Sequence, residues 1–160
     1  MEESVKQLVS RLELNAKYLQ KAFEALSQGT SAALASEILN PPLWLAVHLT
    51  EARAFMSGLL GEGCEPPWGD LAVADEDLND PSKYPPLAQI RSAWDEATEK
   101  LLKRLEEATF EDLSGPPPKG LPIDDGTPLG ALNFFVYHET YHVGQMGAWW
   151  KTLGEGPFMT

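Results

Sequence analysis

Apolar side chains recur every three or four residues in several long segments of the chain. In the first segment, about residues 2–28, they stand at Val5, Leu8, Leu12, Ala16, Leu19, Phe23 and Leu26. In another, about residues 87–108, they stand at Leu87, Ile90, Trp94, Ala97, Leu101 and Leu105. This spacing places the apolar residues on one face of an α-helix. Each segment therefore predicts an amphipathic helix, and Gly29 is the expected left-handed residue after the first one.

A second helix is predicted to begin at Pro41 and Pro42 and to run to about residue 60. Proline suits the first turn of a helix, because the backbone N–H groups there have no partner within the helix. The residues predicted to share the inward face are Trp44, Leu45, His48, Ala52, Phe55 and Leu59. His48 is therefore expected to point towards the core.

The last helix is predicted over about residues 128–153. Thr127 is the expected N-cap, Pro128 occupies the first turn, and Gly154 ends the helix. The residues predicted to lie in line on its inward face are Ala131, Phe135, His138, His142, Gln145 and Trp149. Two histidines thus lie about one turn apart on a largely apolar face.

Two long connections separate these helices. Residues 61–86 are rich in proline, glycine and acidic side chains, and residues 115–118, Gly-Pro-Pro-Pro, end the third helix. Connections of this length allow consecutive helices to run parallel. Four amphipathic helices without strand-like alternation predict an all-α four-helix bundle, formed by a single domain over residues 1–160.

The first connection also contains a pattern that is typical of calcium sites. Asp75, Asp77 and Asn79 are spaced like the first ligands of a calcium-binding loop. However, Asp80 occupies the position that requires glycine, and Pro86 occupies the position that requires glutamate. The pattern therefore favours a solvated acidic loop.

The chain contains 12 basic and 24 acidic residues, and its net charge is -12. A surface this negative repels phosphate backbones and anionic lipids, so nucleic acids and membranes are not expected partners. Cys64 is the only cysteine, which excludes an intrachain disulfide and a cysteine-rich metal cluster. The single cysteine, the acidic N-terminus and the lack of an apolar run of about 20 residues favour a soluble cytoplasmic protein.

The three histidines are the strongest candidates for chemistry. In the predicted bundle, His48 on the second helix meets His138 and His142 on the last helix. Neutral imidazoles that converge on one point are typical zinc ligands. In the alternative interpretation, His138 and His142 are core histidines that are each satisfied by a hydrogen bond. Burying two imidazoles without partners would cost a few kcal/mol, so the pattern favours a metal site.

Residues 138–142 also match the H-E-x-x-H motif of zinc metalloproteases, in which Glu139 would be the general base. Such proteases need a third ligand, which in most cases lies well downstream of the second histidine. Only 18 residues follow His142, none of them histidine, and Glu155 is the sole acid among them. The protease interpretation is therefore disfavoured.

A wider pattern has its parts in a fixed order along the chain. These parts are Trp44 followed by His48-Leu49, then His138-Glu139-x-x-His142-x-Gly144-Gln145, and finally Leu153-Gly154. The pattern resembles the DinB/YfiT-like family of metal-binding four-helix bundles over nearly the whole chain. The resemblance implies that His48, His138 and His142 bind a divalent metal ion, commonly zinc or nickel, with iron, manganese and cobalt as alternatives. It also implies a homodimer that acts as a thiol-dependent transferase or isomerase, with a low-molecular-weight thiol as cofactor, or as an amide hydrolase.

Two polar residues beside the histidines are candidates for supporting roles. Glu139 lies about 100° around the helix from His138 and is a candidate base or ligand-supporting residue, with a salt-bridging or solvated role as the alternative. Gln145 lies about one turn beyond His142 and is a candidate to orient that ligand or a bound water. The alternative for Gln145 is a polar residue near the end of the bundle. Cys64 stands in a glycine- and proline-rich connection and is expected to be incidental.

Two functions are compatible with these features. In the first, three imidazoles leave at least one position on the metal open, so the protein is a metal-dependent enzyme that acts on a small-molecule substrate. In the second, it is a non-catalytic metal-binding or dimerisation bundle with a stress-related, storage or sensing role, and the metal contributes stability. Thiol transfer is favoured over hydrolysis only by the family resemblance.

Overall fold

The computed structural model describes residues 3–27, 40–61, 63–69, 81–116, 123 and 125–159. The α-helices within these ranges are α1 (Glu3–Ser27), α2 (Pro42–Gly58), α3 (Leu87–Glu107), α4 (Phe110–Ser114) and α5 (Pro128–Thr152). A 3-10 turn, Pro81–Lys83, precedes α3. No strand occurs in the described residues, which confirms the all-α fold class. Nor does any helix among them have the length and apolar character needed to cross a membrane.

The four long helices, α1, α2, α3 and α5, form a four-helix bundle, as predicted. α2 packs against α3 and α5, and α1 packs against the same two helices. One apolar cluster joins the C-terminal halves of α1 and α5 to the N-terminal halves of α2 and α3. A second apolar cluster joins the opposite halves of the same helices. The helices α2 and α3 therefore run parallel, as the long connection between them allows.

The apolar stripes of α1 and α3 are buried as their spacing predicts. On α1 the buried members of the stripe are Val5, Leu8, Leu12, Leu19, Phe23 and Leu26. On α3 they are Ile90, Trp94, Ala97, Leu101 and Leu105. The remaining members, Ala16 and Leu87, are half-buried. Because each Å² of buried apolar surface contributes roughly 25 cal/mol, these stripes are a major source of stability.

The predicted inward face of α2 is wrong at Phe55, whose side chain is 41% exposed. His48, Trp44 and Leu59 on the same face are half-buried, so this face lies at the border of the core. Leu45 and Ala52 on this face are buried, as predicted. The other buried side chains of α2 point in several directions, at Ala46, Val47, Leu49, Thr50, Arg53, Ala54, Met56 and Ser57. A helix that is buried on several sides has no single apolar stripe, so a period of 3.6 residues cannot identify its core face.

The predicted start and end of α5 are confirmed. Gly130 N–H donates a hydrogen bond to the Thr127 hydroxyl (3.0 Å), and Pro128 is the first helical residue. The helix ends at Thr152, and Gly154 follows in a left-handed conformation with φ of 73°. Glycine adopts this conformation without the steric penalty that a Cβ atom brings.

The short helix α4 is not among the predicted helices. A capping box between Thr109 and Asp112 forms its first turn, and this pair is the sequence signal that could have identified it. Two other sequence predictions, the left-handed Gly29 and the acidic segment 75–80, fall outside the described residues.

A polar layer lies between the two apolar clusters, and Arg53 is at its centre. The Arg53 side chain has no exposed surface. Its guanidinium donates two hydrogen bonds to the Glu139 carboxylate on α5, at 2.8 and 2.9 Å. It also donates one to the Leu12 carbonyl on α1 (2.6 Å) and one to the Thr98 hydroxyl on α3 (2.8 Å). One side chain of α2 is therefore hydrogen-bonded to each of the other long helices.

Replacing Arg53 with methionine should destabilise the bundle by about 3–5 kcal/mol, because Glu139 would keep a buried charge without a partner. Chemical denaturation followed by circular dichroism measures the loss. The double variant that combines Arg53→Met with Glu139→Met should recover part of it, since that variant has no charge left at this point of the core.

The control is the solvent-exposed ion pair between Lys100 and Glu96, which are 2.7 Å apart. The variant Lys100→Met should change the free energy of unfolding far less than Arg53→Met does, because solvent screens an exposed ion pair. If Arg53→Met is no more destabilising than Lys100→Met, the buried pair does not hold the four helices together.

Candidate metal centre

The three histidines meet at one edge of the bundle core. His48 lies on α2, and His138 and His142 lie one turn apart on α5. The Nε2 atom of His138 is 3.2 Å from Nε2 of His48 and 3.0 Å from Nε2 of His142. The structure therefore brings together the three residues that the sequence predicts to converge, with the same ring nitrogen of each at the centre.

Aromatic side chains pack against the imidazoles. The Trp44 indole stacks on the His48 ring, with centroids 4.6 Å apart and an interplanar angle of 13°. On the other side, Phe134 and Phe135 lie against His138, with centroids 6.2 and 6.1 Å from its ring. Such packing limits the rotamers that each ring can adopt. The histidines are therefore held near the convergent geometry by the fold itself.

Gln145 holds the His142 ring from the outer side. His142 Nδ1 donates a hydrogen bond to Gln145 Oε1 (2.8 Å), which leaves the Nε2 lone pair directed at the centre. Asn40 donates a second hydrogen bond to Oε1 (3.3 Å), and the Tyr141 hydroxyl accepts one from Gln145 Nε2 (3.1 Å). These contacts are compatible with the predicted orienting role of Gln145, which stays a prediction.

Asn40 and Tyr141 are parts of this network that the sequence interpretation missed. Tyr141 stands four residues before Gln145, and that spacing brings two side chains together on a helix surface, so a signal for it exists. Asn40 precedes α2 and is distant from Gln145 in sequence, so no local pattern connects the two residues.

Burial keeps the three imidazoles neutral near pH 7. The pKa of His48 is lowered from 6.5 to about 4. Burial is the largest cause of this decrease, and the charges of His142 and His138 are the smaller ones. Burial also lowers the pKa of His138, against an opposing effect of the Glu139 charge. It lowers the pKa of His142 as well, against the hydrogen bond with Gln145. Because metal ions bind the neutral ring, the cluster has the protonation state of a ligand set.

Glu139, the candidate base, faces the core. Its carboxylate has no exposed surface, and both oxygens accept hydrogen bonds from Arg53. These contacts match the alternative interpretation of Glu139, in which it forms a salt bridge and does not act as a base. An H-E-x-x-H protease needs the same carboxylate beside the metal to act as general base. The observed geometry thus argues against the protease interpretation as well.

The cluster fits a divalent cation. Tetrahedral zinc with Zn–N distances of about 2.0–2.1 Å separates its ligand nitrogens by about 3.4 Å. The separations of 3.0 and 3.2 Å between the Nε2 atoms are slightly shorter, so small shifts of the rings would admit an ion. The buried Nδ1 of His138 has no hydrogen-bond partner in the described structure, so no polar contact opposes such a shift of its ring. Imidazole donors suit zinc, copper, iron and nickel.

Within the described part of the chain, only these three residues form a group of three or more side chains that could hold a metal ion. Cys64 is not part of it. This half-buried cysteine lies after α2, with its Sγ 3.7 Å from the Ser57 hydroxyl oxygen.

The fold and the site together define a helical-bundle protein with a candidate three-histidine metal centre. The chain belongs to the DinB superfamily, whose family model matches residues 11–146. This match confirms the family that the histidine pattern predicts. No curated protein and no solved structure matches the chain.

Proposed function

We propose that this protein is a metal-dependent enzyme whose divalent ion is held by His48, His138 and His142. The convergence of their Nε2 atoms, at 3.0 and 3.2 Å, is the observation that carries the proposal. The cluster contains no fourth protein ligand from the described residues. Three imidazoles leave a position on the metal open to water or substrate, as in catalytic zinc sites.

The proposed reaction is thiol-dependent group transfer or hydrolysis of a small molecule, with zinc or nickel as the metal. A divalent cation in this position supplies a Lewis acid that lowers the pKa of a water molecule or thiol and so provides a nucleophile near neutral pH. Membership of the DinB superfamily supports this class of function. A cytoplasmic location and a homodimer belong to the same proposal, which the family resemblance and the single cysteine support.

The protein's own residues orient the ligands in this proposal. Gln145 fixes the tautomer and direction of the His142 ring, and Trp44 fixes the plane of His48. Glu139 has a structural role, because a proton-accepting role would require its carboxylate to leave Arg53. That separation would leave a buried guanidinium without its counter-charge.

A non-catalytic metal-binding bundle is the second candidate. The enclosure of the site favours it, since His142 is only 6% exposed and aromatic rings pack on two sides of the cluster. An activity panel that covers thiol transfer and amide hydrolysis separates the two candidates. Turnover that requires the metal supports the enzyme, whereas stoichiometric metal without turnover supports the non-catalytic bundle.

Replacing His142 with alanine should abolish stoichiometric metal binding, because two half-buried imidazoles are too few protein ligands for a stable zinc or nickel site. Elemental analysis of the purified parent and variant measures the metal content. Gln89→Ala, an exposed substitution on α3, is the control and should leave the content unchanged. Equal metal in the parent and the folded His142→Ala variant would show that the site is wrong.

Replacing Gln145 with leucine should weaken metal binding by about 10- to 100-fold while the stoichiometry stays at one ion, because His142 loses the group that orients it. Competition with a chromogenic chelator measures the affinity. Tyr141→Phe removes only the hydroxyl that accepts from Gln145, so its effect should be smaller. An unchanged affinity in Gln145→Leu would mean that the hydrogen bond has no part in metal binding.

A further inference from the structure

A cavity of about 430 Å³ lies beside the C-terminal half of α2. Side chains of α2, among them Glu51, Ala54 and Phe55, form one wall, and residues 63–66 form the other. A volume of this size suits a small organic molecule. The candidate metal centre uses none of these residues.

The wall formed by residues 63–66 is attached to α2 by close contacts. Gly63 packs so tightly on α2 that a Cβ atom at this position would lie 2.8 Å from the Cα of Gly58. A little further along the chain, the Trp68 indole N–H donates a hydrogen bond to the Glu51 carboxylate (3.0 Å). The cavity is therefore a defined feature of the fold.

Two residues of the cavity lie on the same face of α2 as His48. Glu51 follows His48 by three residues and Phe55 follows it by seven, a spacing that aligns side chains on a helix. The Phe55 ring contacts Phe135 on α5, with centroids 5.0 Å apart. Phe135 in turn contacts the His138 ring, with centroids 6.1 Å apart. The Phe55–Phe135 pair therefore connects one wall of the cavity with the His138 ring, and the cavity accounts for the exposure of Phe55.

The lining of the cavity combines apolar surface with negative charge. Ala54, Phe55 and Leu59 provide the apolar surface, and Glu51 and Glu65 provide two carboxylates. No lysine or arginine occurs among the described residues that line it. The net charge of the chain, -12, has the same sign. Lys100, Lys103 and Arg104 line a separate cavity that shares only Gly63 with this one, so the two carboxylates favour a cationic ligand over an anionic one here.

We propose that this cavity binds the substrate of the three-histidine centre, and that the substrate is a small organic ammonium compound with an aromatic or branched aliphatic group. This inference rests on the proposed function, because it assigns the cavity to the metal-dependent reaction. The apolar group packs against Phe55 and Leu59, and the ammonium group lies beside Glu51. Because Glu51 follows His48 by only about one helical turn, the ammonium end of the substrate is the end nearer the histidines.

The probes that test the chemistry are 4-phenylbutylamine and 4-phenylbutyrate, which share an apolar group and carry opposite charges. Two-dimensional NMR of the full chain should show that the amine shifts the amide signals of Ala54, Gly58 and Gly63. The affinity for the amine should exceed that for the carboxylate by at least about tenfold. Equal affinities, or shifts confined to residues away from the cavity, would overturn the inference.

The substitution Glu51→Gln keeps an acceptor for Trp68 and removes the charge, so it should weaken amine binding by about tenfold. Glu24→Gln is the matched control, because Glu24 is an exposed residue of α1 and does not line the cavity. It should leave the affinity unchanged. Equal losses in the two variants would show that only the net charge matters and that the cavity does not bind the ammonium group.

Proximity to the histidines is tested with the same amine and protein loaded with Co²⁺ or Zn²⁺. Paramagnetic Co²⁺ should broaden the proton signals of the amine, and diamagnetic Zn²⁺ should not. The metal content of the same samples separates the two proposals. Bound metal without amine binding in the cavity overturns this inference alone. Amine binding in protein that retains no metal overturns the proposed function and leaves the cavity as a binding site for ammonium compounds.

Discussion

The guanidinium of Arg53 and the carboxylate of Glu139 form an ion pair without exposed surface, and the four long helices meet around it. A charge at this depth is tolerated only with its partner, so the pair fixes how α2 and α5 face each other. Each residue turns about 100° around a helix. With Glu139 fixed to the core, the adjacent His138 and the later His142 are placed at the core edge, where His48 of α2 meets them. The contact that positions the helices thus also positions the candidate metal centre.

Much of the fold is predictable because α1, α3 and the start of α5 each carry a complete local signal. Each of α1 and α3 has one apolar face, and that face is buried. Thr127 and Pro128 mark the start of α5, because one caps the helix and the other suits its first turn. α2 is different, because it is buried on several sides and contains a charged residue in its core face. An arginine in a helix is usually solvated, so only the partner on a distant helix reveals that Arg53 is buried. The prediction for Phe55 is wrong because α2 has no single apolar stripe, and the Phe55 ring lines a cavity and not the core.

The candidate site, too, is only partly predictable from the sequence. The positions of His48, His138 and His142 follow from helix periodicity and a bundle topology, and both are encoded in the spacing of residues. The contact between Gln145 and His142 follows from a spacing of three residues on one helix. The roles of Glu139 and Asn40 do not follow from spacing. From spacing alone, Glu139 could face the histidines or the core, and the ion pair with Arg53 determines that it faces the core. Asn40 contacts Gln145 only in the folded bundle.

The central claim is that three imidazoles hold one divalent cation at the border of the core. X-ray absorption spectroscopy of the zinc-loaded protein tests it most directly, because it reports the identity and distance of the atoms that bind the metal. Three imidazole nitrogens are expected at about 2.0–2.1 Å, with an oxygen donor or an added thiol completing the coordination. In the absence of added thiol, a sulfur neighbour at about 2.3 Å would place Cys64 on the metal and contradict the account, as would a spectrum without imidazole scattering.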